Sequence, residues 1–256
     1  MPMRTRITTA GRTLGPRLLA GAGAAALVGL PFGLLLALVR TKWSPLFDFD
    51  QSVTREVTGW VRQYPALVDA LDAIAVIFSP NTFYVLCGLA AVWLWTRGLR
   101  RLAAWIAVTA ATGSLLGVLL KVLVERARPL VDDPVAHAPG FSFPSGHALN
   151  SFLGCGILLL TFLPVLHGWR RVAAWATAVT VTVVTAFDRV ALGVHYLSDV
   201  TAGWALAVAT LAGTMTGFRM WRREHGLRSE KASEGVSPEM SRSVPSSPGV
   251  GSSRSG

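Results

Sequence analysis

The chain has 256 residues, of which 52% are hydrophobic and only 15% charged, with a mean hydropathy of +0.47. A soluble domain carries about 25% charged residues, so this composition argues against a soluble enzyme and for a membrane protein. The formal net charge of +10 would suggest nucleic acid in a soluble protein, but the basic residues here cluster at the ends of apolar runs, so no nucleic-acid partner is expected.

Residues 1–17 carry Arg4, Arg6, Arg12 and Arg17 and no acid, and read as a basic cytoplasmic N-terminus. Residues 18–39 are apolar throughout, enough for a first span of about 20 helical residues. Signal-peptide cores run only about 7–15 residues, so a retained span is favoured. In residues 40–70, Val53, Val57, Trp60 and Val61 fall at helical spacing. They predict a short interfacial helix with Trp43, Trp60 and Tyr64 at headgroup depth, serving packing and not chemistry. Residues 71–95 form a second span, with Ser79, Pro80 and Asn81 marking a kink or a late start. Further spans are expected at 102–123, 147–166, 172–189 and 199–218. Residues 229–256 are rich in Ser, Pro and Gly and read as a disordered cytoplasmic tail. The fold class is therefore all-α, a polytopic bundle of six transmembrane helices within residues 18–228.

With six spans both termini share a face. The N-terminal arginines, Arg97 to Arg101, Arg170 with Arg171, and the basic segment 219–228 all fall on it. Positively charged loops stay cytoplasmic, so the chain is expected in the plasma membrane with both termini inside. The loops 124–146 and 189–199 then face outward.

Those loops hold the chemistry. Lys121, Arg128 and Arg189 lie at span ends, where a lone cation usually just snorkels to headgroups. Two histidines and a carboxylate on the same side need another reason. His195 and Asp199 are four apart, so on a helix they share a face. The carboxylate can fix the imidazole tautomer and leave the other nitrogen as a nucleophile; a simple helix cap is the blander role for Asp199. In Pro144-Ser145-Gly146-His147 a Ser-Gly turn opens a helix and offers N–H groups to an anion. Ser145 adds a hydroxyl, and His147 is placed to protonate a leaving oxygen. Lys121, Arg128 and Arg189 supply the charge neutralisation that phosphoryl transfer needs, so the chemistry reads as metal-free, with no cofactor.

Lys121…Arg128-Pro129, Pro144-Ser145-Gly146-His147 and Arg189…His195…Asp199 together resemble the type-2 phosphatidic acid phosphatase superfamily, which includes bacterial acid phosphatases and vanadium haloperoxidases. The likeness covers roughly residues 102–218 and implies the helical core of that superfamily. It implies that His195 is the nucleophile of a phosphohistidine intermediate, that Asp199 orients it, and that His147 is the general acid. Lys121, Arg128, Ser145, Gly146 and Arg189 would bind the phosphate. One position departs: Asp188 stands where the family has Ser, and either pairs with Arg189 or another cation or weakens phosphate binding. The expected activity is hydrolysis of a phosphorylated lipid reaching the site from the outer leaflet. Polyprenyl diphosphate, phosphatidate and phosphatidylglycerol phosphate are candidates, and an outward site suits undecaprenyl diphosphate. The alternatives are phosphotransfer to another acceptor, and a silent scaffold or transporter of the same fold.

Overall fold

The computed structural model describes residues 29–131, 136 and 138–224, and these contain helices and loops but no strand. The helices are α1 (Gly29–Arg40), α2 (Ser44–Val61), α3 (Pro65–Ile77), α4 (Pro80–Thr96), α5 (Arg100–Val124), α6 (Gly146–Phe162), α7 (Trp169–Ala191) and α8 (Leu197–Glu224). A 3-10 turn, Leu163–Val165, extends α6. Helices α2, α3 and α4 each open with proline in the first turn, where the missing N–H has no helical partner to lose. Pro80 therefore starts a new helix. Residues 65–70, read from the sequence as part of an outer segment, are the first turns of α3.

Among the described residues, four stretches are long and apolar enough to cross a bilayer: Pro65–Thr96, Arg100–Val124, Gly146–Val165 and Leu197–Trp221. The sequence predicts six. The first predicted span is described only from Gly29 onward, and the 229–256 tail lies outside the described residues. The fifth corresponds to α7, which is 23 residues long but carries Thr177, Thr180, Thr182 and Thr185 between charged ends.

Helix α6 is central and packs on α4, α5, α7 and α8. Leu94, Ile106, Leu149, Leu153 and Ile157 form the core of this contact. A second cluster, including Val61, Leu71 and Leu192, ties α2 and α3 to the end of α7. On the outside, Leu89, Val92, Leu115, Val118 and Val122 remain more than half exposed. An apolar surface of that extent suits lipid and not water.

The helices approach closely where side chains are absent. A Cβ on Gly203 would lie 2.9 Å from the Ser145 carbonyl oxygen and 3.0 Å from the Leu149 nitrogen. Glycine there lets α8 pack against the first turn of α6, as small residues do in membrane bundles. Helix α5, at 25 residues, is about 37 Å long. Arg97, Arg100 and Arg101 therefore lie at the opposite end of the bundle from Lys121. Arg170 and Arg171 lie at the opposite end of α7 from Arg189.

The interfacial helix needs a correction. Trp43, Trp60 and Tyr64, placed by the sequence at headgroup depth, are half exposed. The buried face of α2, however, is Asp50, Gln51, Thr54, Thr58 and Val61. That face is polar because it meets a charged loop, and Asp50 does more than pack.

Candidate active site

Helix α5 ends at Val124, where Glu125 takes a left-handed conformation at φ 50°. The chain then pairs with its own return segment: Ser142 N–H donates to the Arg126 carbonyl at 2.9 Å, and Ser142 Oγ to the Ala127 carbonyl at 3.0 Å. Lys121 Nζ donates to the Phe141 carbonyl at 2.8 Å. Arg128 donates to the carbonyls of Gly140 at 3.0 Å, Val194 at 2.6 Å and Pro139 at 2.9 Å. Its guanidinium is thus fixed by backbone from two loops. Burial lowers the Arg128 pKa, with Asp199 opposing and Arg189 adding to the effect.

The Ser-Gly turn opens α6 as the sequence predicts. Ser145 is the N-cap, and its Oγ accepts the Ala148 N–H at 3.4 Å. Its own hydroxyl hydrogen remains to be donated. Gly146 follows with open space where a side chain would stand. His147 Nε2 lies 3.2 Å from the Ala75 carbonyl of α3. A carbonyl only accepts, so the Nε2 of His147 carries hydrogen. This carbonyl is available because α3 stops before Pro80: Ser79 N–H turns to Val76 instead.

Helix α7 ends in a Schellman motif. Gly193, at φ 72°, donates to the Val190 carbonyl, and Val194 reaches back to Arg189. The His195 N–H donates to the same Arg189 carbonyl at 3.1 Å, which fixes the histidine backbone. His195 Nε2 lies 3.3 Å from Arg128 Nη1. Arginine only donates, so Nε2 holds a lone pair and the ring proton belongs on Nδ1. Nδ1 faces Asp199 Oδ2 at 3.5 Å, longer than a hydrogen bond, and has no other partner among the described residues. Burial pushes the His195 imidazole down from 6.5 to about 4, against the pull of Asp199 and with Arg128 and Lys121 adding to the drop. The ring is therefore neutral at neutral pH.

Asp199 joins all three segments. Its carbonyl accepts the Ser145 N–H at 3.0 Å. Its Oδ2 accepts the Tyr196 N–H at 2.9 Å, the reach-back of a capping box. Its Oδ1 accepts from Arg126 Nη1 at 2.6 Å. His147 in turn is close enough to His195, Arg189 and Lys121 to feel their charges. Arg189, at the end of α7, donates from Nε (2.7 Å) and Nη2 to one oxygen of Asp188. Asp188 thus pairs with its neighbour, and its other oxygen, Oδ1, is buried with no hydrogen-bond partner among the described residues.

The residues matched to the PAP2 superfamily are 102–223. An undecaprenyl-diphosphatase of Sulfolobus acidocaldarius is 30% identical over 179 residues, covering 68% of this chain and 83% of that protein. The chain belongs to the PAP2 superfamily. Phosphatidylglycerophosphatase B of Bacillus subtilis is 35% identical over 100 residues, 38% of this chain. The match spans about half of that relative's length (48%). The crystal structure of a transmembrane PAP2-type phosphatidylglycerolphosphate phosphatase from Bacillus subtilis superposes with a TM-score of 0.64 at 25% identity. It covers 76% of this chain and 95% of that one.

All the candidate site residues read from the sequence fall within the PAP2 match. Two contributors lie before it: Asp50 of α2 and the Ala75 carbonyl of α3. Arg126, inside the first motif, is a third that its spacing did not mark. Burial alone would lower the Arg126 pKa, but Asp199 and Asp50 reverse this and hold it above the usual arginine range. Breaking such a buried pair costs about 3–5 kcal/mol. His137 and His225 lie outside the described residues, and His167 is exposed at the far end of α6.

Proposed function

We propose that the chain is a phosphatase of phosphorylated lipids, working through a phosphohistidine at the extracytoplasmic end of a six-span bundle. The observation that carries this reading is the His195 ring: one nitrogen turned to a carboxylate, the other holding a lone pair beside a fixed guanidinium. An attacking Nε2 forms the bond to phosphorus as the bond to the lipid oxygen breaks. His147 enters this step as imidazolium: its Nε2–H stays on the Ala75 carbonyl and its Nδ1 proton goes to the leaving oxygen, which leaves the ring neutral with a free Nδ1 lone pair. Water then attacks phosphorus, His147 takes the water's proton, and inorganic phosphate leaves His195. Lys121, Arg128, Ser145, Gly146 and Arg189 neutralise and orient the phosphoryl oxygens. Arg189 shares its charge with Asp188, so phosphate has to compete for it.

The relatives named for undecaprenyl diphosphate and phosphatidylglycerol phosphate support a lipid substrate for this chain. A cavity of about 690 Å³ beside Arg126 and Arg128, with Leu38, Leu46 and Phe47 in its wall, offers room for apolar chain near the phosphate. Purified protein in detergent and EDTA should release phosphate from at least one of polyprenyl diphosphate, phosphatidate or phosphatidylglycerol phosphate. No release from any of them would favour a scaffold or transporter.

The arginine-rich bundle end opposite the site supports the orientation. Leu130 is 83% exposed near the site, and Trp169 is 76% exposed at the other end. In intact cells, Leu130→Cys should react with a membrane-impermeant maleimide and Trp169→Cys should not. The reverse pattern would invert the topology.

A further inference from the structure

We propose that Arg126, held by Asp50 of α2, is a positioning residue that aims the Asp199 carboxylate at His195. The inference rests on the reading of Asp199 as the partner of His195. Arg126 forks between two buried carboxylates, Asp199 Oδ1 at 2.6 Å and Asp50 Oδ2 at 2.8 Å. Its guanidinium lies 4.2 Å over the Tyr196 ring, which fixes its plane. Tyr196 in turn donates its hydroxyl to Gln51 of α2 at 3.1 Å. Asp50 is also anchored from the other side: it accepts the Ser198 N–H at 3.1 Å and the Ser198 hydroxyl.

The geometry divides the Asp199 carboxylate. Arg126 occupies Oδ1, so Oδ2 alone is left for the Tyr196 N–H and for His195 Nδ1. A free carboxylate can rotate and offer either oxygen. This one cannot do so without breaking a short charge-assisted bond. The same contact spreads the Asp199 charge, so it restrains how strongly that carboxylate favours a protonated His195. The other charged groups facing the imidazole among the described residues are Arg128 and Lys121, and the titratable His147 interacts with it from α6. Asp50 therefore gives α2, which precedes the PAP2 match, a hold on the reacting end of the bundle.

Arg126→Gln tests this with two readouts. Turnover should fall roughly tenfold or more, with KM within about threefold, because positioning and not substrate binding is lost. The His195 titration, followed by ¹⁵N histidine NMR, should move up by about one unit, because an unneutralised Asp199 favours imidazolium. The NMR shift does not depend on turnover. If it moves while the wild type hydrolyses no lipid phosphate, the positioning stands and the phosphatase reading falls. Arg126→Lys keeps the charge but not the fork, and should fold, hold the titration and still lose turnover. Asp50→Asn should move the titration down, opposite to Arg126→Gln. Unmoved titrations in Arg126→Gln and Asp50→Asn, or full turnover in Arg126→Lys, would overturn the inference.

Discussion

His195→Ala is expected to lower turnover on a lipid phosphate by at least roughly 10⁴-fold, equivalent to about 5 kcal/mol or more of transition-state stabilisation. The size follows from what is removed. The Nε2 lone pair lies beside the Arg128 guanidinium at 3.3 Å, where a phosphoryl group bound by that arginine would meet it, and the backbone of His195 is held by the Arg189 carbonyl. Without it, phosphorus has no nitrogen to bond to, and direct attack by water lacks the geometry. His147 does not substitute, because its Nε2 is tied to Ala75 on α3 and its Nδ1 carries the proton for the leaving oxygen. Folding should survive, since His195 Nδ1 makes no hydrogen bond whose loss would strand a partner. Thermal unfolding in detergent checks this beside the rate. A variant that folds and turns over at the wild-type rate would show that His195 is not the nucleophile.

His147→Ala should cost about 10²- to 10⁴-fold, the usual span for a lost general acid. The loss should depend on the leaving group. A lipid alkoxide needs a proton as its bond to phosphorus breaks, whereas p-nitrophenolate leaves without one. The variant should therefore lose much less with p-nitrophenyl phosphate than with the lipid. Equal losses on both substrates would assign His147 to phosphate binding. The variant also frees the Ala75 carbonyl at the end of α3, where water at the bundle end can take it.

Much of the site was legible in the sequence because its chemistry is local. Ser145, Gly146 and His147 are consecutive, and His195 and Asp199 are one helical turn apart, so residue type and spacing already imply a cap, an anion turn and a paired imidazole. Asp188 stands out as a departure from the family's Ser, and of the roles open to it the structure shows the pairing with Arg189. Asp50 was not legible. Its partners Arg126 and Ser198 lie 76 and 148 residues away, and nothing in α2 announces them. The hydrophobic period of α2 pointed instead to Val53, Val57 and Trp60, because such a reading assumes that a helix buries its apolar side. Here the helix covers a charged loop, and Asp50 and Thr54 face inward. The Ala75 carbonyl carries no residue-type signal, although Pro80 marked the helix end that frees it. Gly193 carries a helix-stop signal in its residue type alone, and the turn it allows is what places His195. The fold class came through, while the span count did not transfer directly: α7 is long enough but threonine-rich, and the first span lies partly outside the described residues.

The most direct measurement is a rapid acid-free quench of purified protein turning over a ³²P-labelled lipid diphosphate. A phosphoryl label stable to alkali, labile to acid and carried by the peptide containing His195 is the predicted result, absent from His195→Ala. A label on Ser145 or His147, or turnover with no labelled protein at any time, would contradict a phosphohistidine at this position.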